Sequence, residues 1–280
     1  MADGLYRWQG HAPAPDAARV EAIDAGYDEA EAHAFAEPAR AAAVQRIDAA
    51  LAAARTDGLS EAAERLAHAR TLLENLKPDM LEPRRGLAGL FDSRKRRLRR
   101  FRDAYRLSAA ALADVAGDLS ERVEGAARRA GVLDGVWAEV RDALVDLDAH
   151  LLAASRRLPG SASTDEATHP LEARRTALHA SRAAALSALP LIRGAQNADA
   201  RAAEALRACS EGVAAWRRDW SEALGLAGKR PKKVRPDRER LLVLRDDLLA
   251  RIDRGLAELK ASDGRRADIA ARLGDLRAPL

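Results

Sequence analysis

Positively charged side chains are the residues of this sequence whose type and spacing could bind a ligand. They concentrate in two segments, 84–102 and 229–240. Such segments can contact phosphates, anionic lipid or an acidic protein surface, and a helix face that is simply solvated is an equal alternative. The candidate residues for an anion- or partner-binding surface are Arg94, Lys95, Arg96, Arg97, Arg99, Arg100, Lys232, Lys233 and Arg235.

Charge is unevenly distributed along the chain. Residues 1–83 carry 15 acidic and 8 basic side chains, whereas the whole chain of 280 residues has a formal net charge of +4. Residues 84–280 are therefore strongly basic. Like charges as dense as those of residues 94–102 repel one another, and an acidic partner would relieve this repulsion. The acidic first 83 residues are one such partner, which predicts that the N-terminal helices fold back onto residues 84–102.

Residues suited to metal or covalent chemistry are sparse. Structural zinc needs about four ligands, but the six histidines are scattered and cysteine occurs once. Asp142, Asp146 and Asp148 lie close together in sequence, and the first two, one helical turn apart, could bind a cation, although solvated surface carboxylates are the favoured interpretation. Neither a phosphate-binding glycine motif nor a nucleophile motif occurs. The sequence therefore predicts no cofactor, no metal site and no catalytic residue.

The single cysteine, Cys209, lies three residues after Leu206 and four before Val213. This spacing predicts a buried, unreactive thiol on the apolar side of a helix. A lone cysteine forms no internal disulfide, and the N-terminus lacks a signal-peptide pattern. No stretch of 18 residues is free of charge, so no membrane span is expected. These observations lead us to expect a cytoplasmic protein.

The elements that would position these residues are helices, because Ala, Leu and Arg dominate and only 4% of residues are aromatic. Between residues 98 and 158, apolar or small residues recur every three or four positions, with one inserted four-residue step near Gly117. A continuous helix over this segment would be about 90 Å long. Gly131 and Gly135 favour two helices in series as the cautious interpretation.

Further helices are expected on both sides of this segment. They are predicted over residues 16–27, 38–55, 59–76, 171–189, 190–224 and 237–259, with a tail beyond residue 263. Pro190 is expected to interrupt or kink its helix. Aromatic residues bury the most apolar area, and the candidate structural anchors are Phe101, Tyr105, Trp137, Trp216 and Trp220. Together, these patterns predict an all-α fold, an elongated antiparallel bundle with long coiled-coil-like helices.

Proline and glycine divide the chain into three regions. Turn signals around Pro13 and Pro15 mark residues 1–17 as a mobile N-terminal arm. Residues 18–83 form an acidic helical region, and Pro83 with Gly86 marks its junction with the next region. Residues 84–280 are predicted to form a basic long-helix bundle.

Several segments occur in a characteristic order. Residues 90–93 precede a basic helix with Phe101 and Tyr105, a Leu-rich stretch covers 133–158, Pro190 precedes a Gln-Asn pair in 189–197, and two tryptophans flank basic residues in 213–220. This order, with a weaker match over 23–27, resembles the toxic anion (tellurite) resistance protein family. The segment 159–170 is shorter than the family's pattern. The resemblance implies a cytoplasmic helical protein connected with resistance to tellurite or related stresses, and it transfers no catalytic residue.

We expect from the sequence a non-enzymatic helical interaction or scaffold protein that binds a protein partner of a stress-resistance system. The alternative is a helical protein whose basic segments bind the phosphates of nucleic acid or an anionic lipid surface. Direct reduction of an oxyanion by the protein would need more than one thiol or a cofactor site. The sequence shows neither, so an enzyme is not expected.

Overall fold

A computed structural model describes five ranges of the chain. These are residues 14–55, 58–82, 93–158, 170–228 and 234–280. Lys232, Lys233 and most of the predicted N-terminal arm lie outside the described residues. Within the described ranges the chain forms helices and no strand, which confirms the all-α prediction.

Six α-helices and two short 3-10 turns account for the described secondary structure. The helices are α1 (Ala17–Ala25), α2 (Glu37–Ala54), α3 (Leu59–Asn75), α4 (Arg94–Arg157), α5 (Pro170–Ala223) and α6 (Arg238–Arg277). The turns are Glu29–Ala34 and Pro78–Leu81. None of the helices in the described ranges combines the length and apolar character that a membrane span requires.

The first three helices begin and end close to their predicted positions. The carboxylate of Asp16 accepts a hydrogen bond from the backbone N–H of Ala18 and forms the N-cap of α1. Pro38 lies in the first turn of α2, where its missing N–H leaves no hydrogen bond unmade. The 3-10 turn Glu29–Ala34 was not predicted, because its alanine-rich sequence carries no turn signal.

Helix α4 is continuous, so the interpretation as two helices in series is wrong. Gly131 and Gly135 lie inside it, and a Cβ atom added at either glycine would contact nothing within 4 Å. Each glycine costs a helix about 1 kcal/mol relative to alanine. Leu133 and Val140, at 2% and 0% exposure, lie in the same stretch, and their burial offsets that cost.

The two C-terminal helices are also longer than predicted. Pro190 does not end its helix, because α5 runs through it from Pro170 to Ala223. The neighbouring Leu189 and Ile192 are buried, and their packing compensates for the hydrogen bond that proline removes. The predicted tail beyond residue 263 is wrong as well, since α6 continues to Arg277 and buries Leu273.

The chain forms two compact units, and the three long helices each contribute to both. Unit 1 comprises the described residues of Met1–Thr56, Arg129–Asn197 and Arg265–Leu280. Unit 2 comprises those of Asp57–Arg128 and Ala198–Gly264. Neither unit coincides with the sequential regions 18–83 and 84–280, because each draws on both sides of that boundary.

Unit 2 contains α3 and parts of α4, α5 and α6. Two ion pairs join α3 to α4, Glu61 with Arg122 at 3.0 Å and Arg65 with Asp118 at 3.4 Å. Because the higher number on one helix faces the lower number on the other, these two helices run in opposite directions. Further contacts link α4 to α5, α5 to α6, and α6 to α3. One large apolar cluster fills the space between the four helices.

Unit 1 contains α1, α2 and the remaining parts of the three long helices. Arg46 of α2 pairs with Glu139 of α4 at 3.2 Å, and Asp48 of α2 pairs with Arg277 of α6 at 2.7 Å. The buried Arg266 of α6 donates hydrogen bonds to backbone carbonyls at the C-terminal end of α2. In unit 1, α2 therefore packs against segments of α4 and α6, as α3 does in unit 2.

Candidate docking surface

The described part of the first basic segment, residues 93–102, forms the start of α4 in unit 2. The hydroxyl of Ser93 accepts a hydrogen bond from the backbone N–H of Arg96 at 3.3 Å, and its carbonyl accepts one from Arg97. This N-cap fixes where the helix begins. The first turns therefore place cations at a helix N-terminus, whose partial positive charge disfavours them.

Periodicity divides these turns into a buried and an exposed side. Phe101 and Tyr105 are buried in the core, at 0% and 4% exposure. The exposed basic side chains are Arg94, Lys95, Arg96, Arg99 and Arg100. Arg97 is half-buried and donates to the carbonyl of Leu81 at 3.3 Å. The run is thus an outward-facing surface on a well-anchored helix.

The second basic segment leads into α6 and meets the first through the turn Pro78–Leu81. Arg238 donates to the carboxylate of Asp79 through Nε at 2.7 Å and pairs with Glu82 at 3.1 Å. Since this turn contacts both Arg97 and Arg238, the two basic segments lie at the same end of unit 2. We call this surface the basic end and define it as Arg94, Lys95, Arg96, Arg99, Arg100 and the exposed Arg235.

The cations of the basic end form no ion pair with any other residue of the described ranges. In unit 2, acidic residues of the first 83 pair with other arginines, Glu61 with Arg122 and Asp79 with Arg238. The first 83 residues do reach this run, because the backbone carbonyl of Leu81 accepts a hydrogen bond from Arg97. Within the described ranges, no acidic residue of the first 83 pairs with the exposed cations of the basic end, so the predicted neutralisation is not observed for these side chains.

Four of the five predicted aromatic anchors form one cluster in unit 2. The ring centroids of Trp216 and Trp220 are 4.9 Å apart, and Tyr105 lies within 6 Å of both. Phe101 completes the cluster at 5.9 Å from Trp220. The hydroxyl of Tyr105 donates to the carbonyl of Arg217 at 2.6 Å. These rings hold the first turns of α4 against α5 and so position the basic end.

Trp137 is placed differently, in unit 1 and only half-buried. The guanidinium carbons of Arg193 and Arg141 lie 4.4 Å and 5.6 Å from the centroid of its ring. Contacts at these distances are cation–π interactions. Trp137 therefore packs against the edge of the unit 1 core while its ring also contacts two surface arginines.

The three clustered aspartates of α4 have separate structural roles. Asp142 pairs with Arg141 at 2.8 Å, and Asp146 pairs with Arg19 at 3.0 Å. Asp148 is not a solvated surface carboxylate as expected, because it is fully buried and pairs with Arg182 at 2.5 Å. The sequence signal for this was its position between Leu147 and Leu151, which are both buried. Within the described part of the chain, no group of three or more His, Cys, Asp or Glu residues is arranged to hold a metal ion.

Cys209 lies in the core of unit 2, at 1% exposure. Burial raises the pKa of its thiol to about 11 by disfavouring the charged thiolate, an effect that Arg251 and Arg254 partly oppose. The thiol lies 3.6 Å from the carbonyl of Arg251. A cysteine with a raised pKa and no access to solvent is a packing residue rather than a nucleophile.

A cavity of about 910 Å³ opens in unit 1 between the N-terminal elements and α4. Tyr27, Phe35 and His150 line it, and the ring of Phe35 packs edge-on against the other two. Three charged residues of its lining form ion pairs, Asp146 with Arg19 and Glu37 with Arg40. These ion pairs and ring contacts give each of the named side chains a structural role in the cavity wall.

Comparisons of the chain with family models, with curated proteins and with solved structures found no match. The resemblance described above therefore remains a prediction from the sequence.

Proposed function

We propose that this chain is a non-enzymatic helical interaction protein, and that its basic end docks onto an acidic surface of a protein partner. The single observation that carries the proposal is the convergence of both basic segments on one end of unit 2. Arg97 and Arg238 anchor these segments to the same turn, while the exposed cations between them make no ion pair with the described residues. A surface of this kind favours a partner of opposite charge.

The electrostatics of the basic end favour such a partner in two ways. Neighbouring cations on the first turns of α4 repel one another, and the helix dipole adds to that repulsion. A carboxylate-rich surface would relieve both effects at once. Individual exposed ion pairs contribute only about 0–1 kcal/mol each, so an affinity built on them depends on their number and falls as salt is added.

The second candidate partner is a phosphate polymer or an anionic lipid surface. The observation in its favour is the same cluster of arginines, because guanidinium groups bind phosphate oxygens in pairs of hydrogen bonds. Among the described residues near the basic end, the aromatic side chains that could stack on bases, Phe101 and Tyr105, are buried. This arrangement favours the acidic protein surface as the first candidate.

The resemblance to the toxic anion resistance family adds a setting to the proposal. It implies a cytoplasmic protein within a stress-resistance system, and we propose that setting for the interaction. A docking role is consistent with the inert thiol of Cys209 and with the paired carboxylates of α4.

The proposal is tested with three labelled polyanions: a poly-glutamate peptide, duplex DNA and vesicles that contain phosphatidylglycerol. The variant R96Q/R99Q/R100Q removes three charges of the basic end. Its matched control, R201Q/R207Q/R254Q, removes three arginines that are also exposed but lie elsewhere in unit 2. We expect binding that weakens steeply from low to moderate salt, and about tenfold weaker binding by the first variant alone.

The outcomes separate the candidates. Salt-sensitive binding of poly-glutamate that is lost in R96Q/R99Q/R100Q supports docking on an acidic protein. Binding of DNA or vesicles but not of poly-glutamate supports the second candidate. No binding of any probe, or equal loss in both variants, overturns the proposal.

A further inference from the structure

The exposed face of α4 in unit 2 is largely segregated by charge along the helix, with Asp103 and Arg128 as exceptions. Its N-terminal part carries the exposed cations Arg96, Arg99, Arg100 and Arg106. Its later part carries the exposed anions Asp114, Glu121 and Glu124. Positions three or four residues apart share a face of a helix, so these residues form one stripe on the side opposite the buried Leu112 and Leu119.

The charges of this stripe are largely uncompensated within the described part of the chain. Asp114 and Glu121 form no ion pair with any described residue, as is true of Arg96, Arg99 and Arg100. Glu124 approaches Arg128 only at 4.0 Å, with both side chains about three-quarters exposed. Arg106 and Asp103 lie 3.6 Å apart and are both 58% exposed. Contacts this open stabilise little, which leaves the charges available to a partner.

Small and apolar residues lie between the two charged parts. Leu107 is 75% exposed, the highest value among the exposed large hydrophobic residues. Ala110 follows it on the same face, and a Cβ atom added at Gly117 would meet nothing within 4 Å. Small side chains allow the backbone of a second helix to approach closely, and an exposed leucine gains from burial against it.

We infer that this stripe of α4 docks on the same stripe of a second copy of the chain, with the two helices antiparallel. A two-fold axis at Ala110 places Arg96 opposite Glu124, Arg99 opposite Glu121 and Arg106 opposite Asp114, and symmetry makes each pair twice. Leu107 then lies at the centre of the contact. This inference rests on the proposed function, because it identifies the acidic surface that the basic end binds.

The match of charge and spacing favours a second copy over an unrelated partner. Three of the four cations, Arg96, Arg99 and Arg106, find an anion at the corresponding distance beyond Ala110, which is the condition for an isologous interface. The fourth, Arg100, lies opposite Ser120. The contact spans about 40 Å of helix, and a single helix pair buries less than the roughly 1,200 Å² of standard interfaces. Self-association is therefore expected to be weak, concentration-dependent and sensitive to salt.

Sedimentation equilibrium over protein concentrations from about 1 to 200 μM tests this inference at low salt. We expect the full chain to dimerise in that range. The charge reversals R96E/R99E and E121R/E124R should each weaken dimerisation by about tenfold or more, because like charges then face each other. An equimolar mixture of the two variants should form a heterodimer, in which every reversed residue faces an opposite charge.

Leu107→Ser tests the apolar centre of the contact, and Val243→Ser is its matched control. Val243 is 59% exposed in the same unit but on α6, beside the exposed acidic residues Asp246 and Asp247. We expect the first substitution to weaken dimerisation severalfold and the second to leave it unchanged. All of these positions are exposed, so circular dichroism should show an unchanged helical content.

A chain that stays monomeric throughout, or a mixture of the charge-reversed variants that does not associate, overturns the inference. The proposed function fails by a different measurement. If the chain is monomeric but still binds poly-glutamate through Arg96, Arg99 and Arg100, the docking surface stands and its partner is another protein.

Discussion

Arg182 of α5 and Asp148 of α4 form an ion pair inside unit 1, with 2.5 Å between Nε and Oδ1. The side chain of Arg182 is 8% exposed and that of Asp148 is fully buried. Removing two charges from water is costly, and their attraction compensates only if both partners are present. The pair therefore fixes how these two helices align, more than it adds to the free energy of unfolding.

Removing one partner of this ion pair should destabilise the protein more than replacing both partners with apolar residues. We expect Asp148→Asn to lower the free energy of unfolding by about 3–5 kcal/mol, because it removes the negative charge that faces the buried Arg182. The double variant D148L/R182M should lose much less free energy of unfolding, because neither buried charge remains. Urea denaturation of D148L, R182M and the double variant measures this coupling, and additive losses of the free energy of unfolding would contradict it.

The ion pair also shows what the sequence pattern could not predict. Hydrophobic spacing placed Leu144, Leu147 and Leu151 in the core, and all three are buried. Asp148 lies beside them, but its partner is 34 residues away in sequence. Spacing identifies the face that a residue occupies, whereas a buried charge is recognised only when the residue that neutralises it is known.

Helix ends were harder to predict than helix faces. Gly131, Pro190 and Gly264 each carry a local signal to stop, yet each lies inside a helix. Local penalties of about 1–3 kcal/mol are smaller than the gain from burying several leucines along the same helix. The sequence predicted two separate basic segments and not their proximity. The contacts that bring them together are made by Leu81 and Asp79, which belong to a turn that was not predicted.

Arg266 should contribute to stability through the end of α2. Its guanidinium donates to the carbonyls of Ala53 and Ala54 at 3.1–3.3 Å, and the residue is 4% exposed. Arg266→Met keeps the apolar stem but leaves these carbonyls without their donor, which should cost about 1–3 kcal/mol.

Arg272→Met is the matched control for this substitution on the same helix. Arg272 is 62% exposed and lies 3.9 Å from Asp268, so its loss should change the free energy of unfolding by less than about 0.5 kcal/mol. Thermal and urea unfolding of both variants measure the difference. Equal effects would show that Arg266 does not cap α2.

Glu37 should make unit 1 sensitive to acid. Hydrogen bonds from Arg40 and Arg174 lower the pKa of its carboxyl group from 4.5 to about 2. The folded state favours the ionised carboxylate of Glu37 more than the unfolded state does. Its contribution to the free energy of unfolding is therefore present above pH 4.5 and is lost as the pH falls toward 2. Glu37→Gln should therefore flatten the dependence of Tm on pH in that window.

The size of this effect at neutral pH should be modest, since the side chain of Glu37 is 43% exposed. Glu37→Gln is expected to cost about 1 kcal/mol or less at pH 7. Differential scanning calorimetry of both proteins from pH 7 to pH 2 measures the two curves. Parallel curves would show that Glu37 does not control the acid response.

Two glycines of α6 should respond in opposite directions to the same substitution. A Cβ atom at Gly255 would lie 2.7 Å from the sulfur of Cys209 and 3.2 Å from Leu66, whereas one at Gly264 would contact nothing within 4 Å. Alanine gains about 1 kcal/mol of helix propensity at either position. At Gly255 overpacking costs about 1–3 kcal/mol, so Gly255→Ala should destabilise the protein and Gly264→Ala should stabilise it.

Cys209→Ala supplies the control for this prediction, because it removes the sulfur that Gly255→Ala would contact. The double variant C209A/G255A should then lose less than the sum of its single substitutions, by an amount that a double-mutant cycle in urea measures. If Gly255→Ala instead stabilises the protein as much as Gly264→Ala, the helices of unit 2 can move apart at no cost. The close approach of α5 and α6 at Cys209 would then not be the reason that residue 255 is glycine.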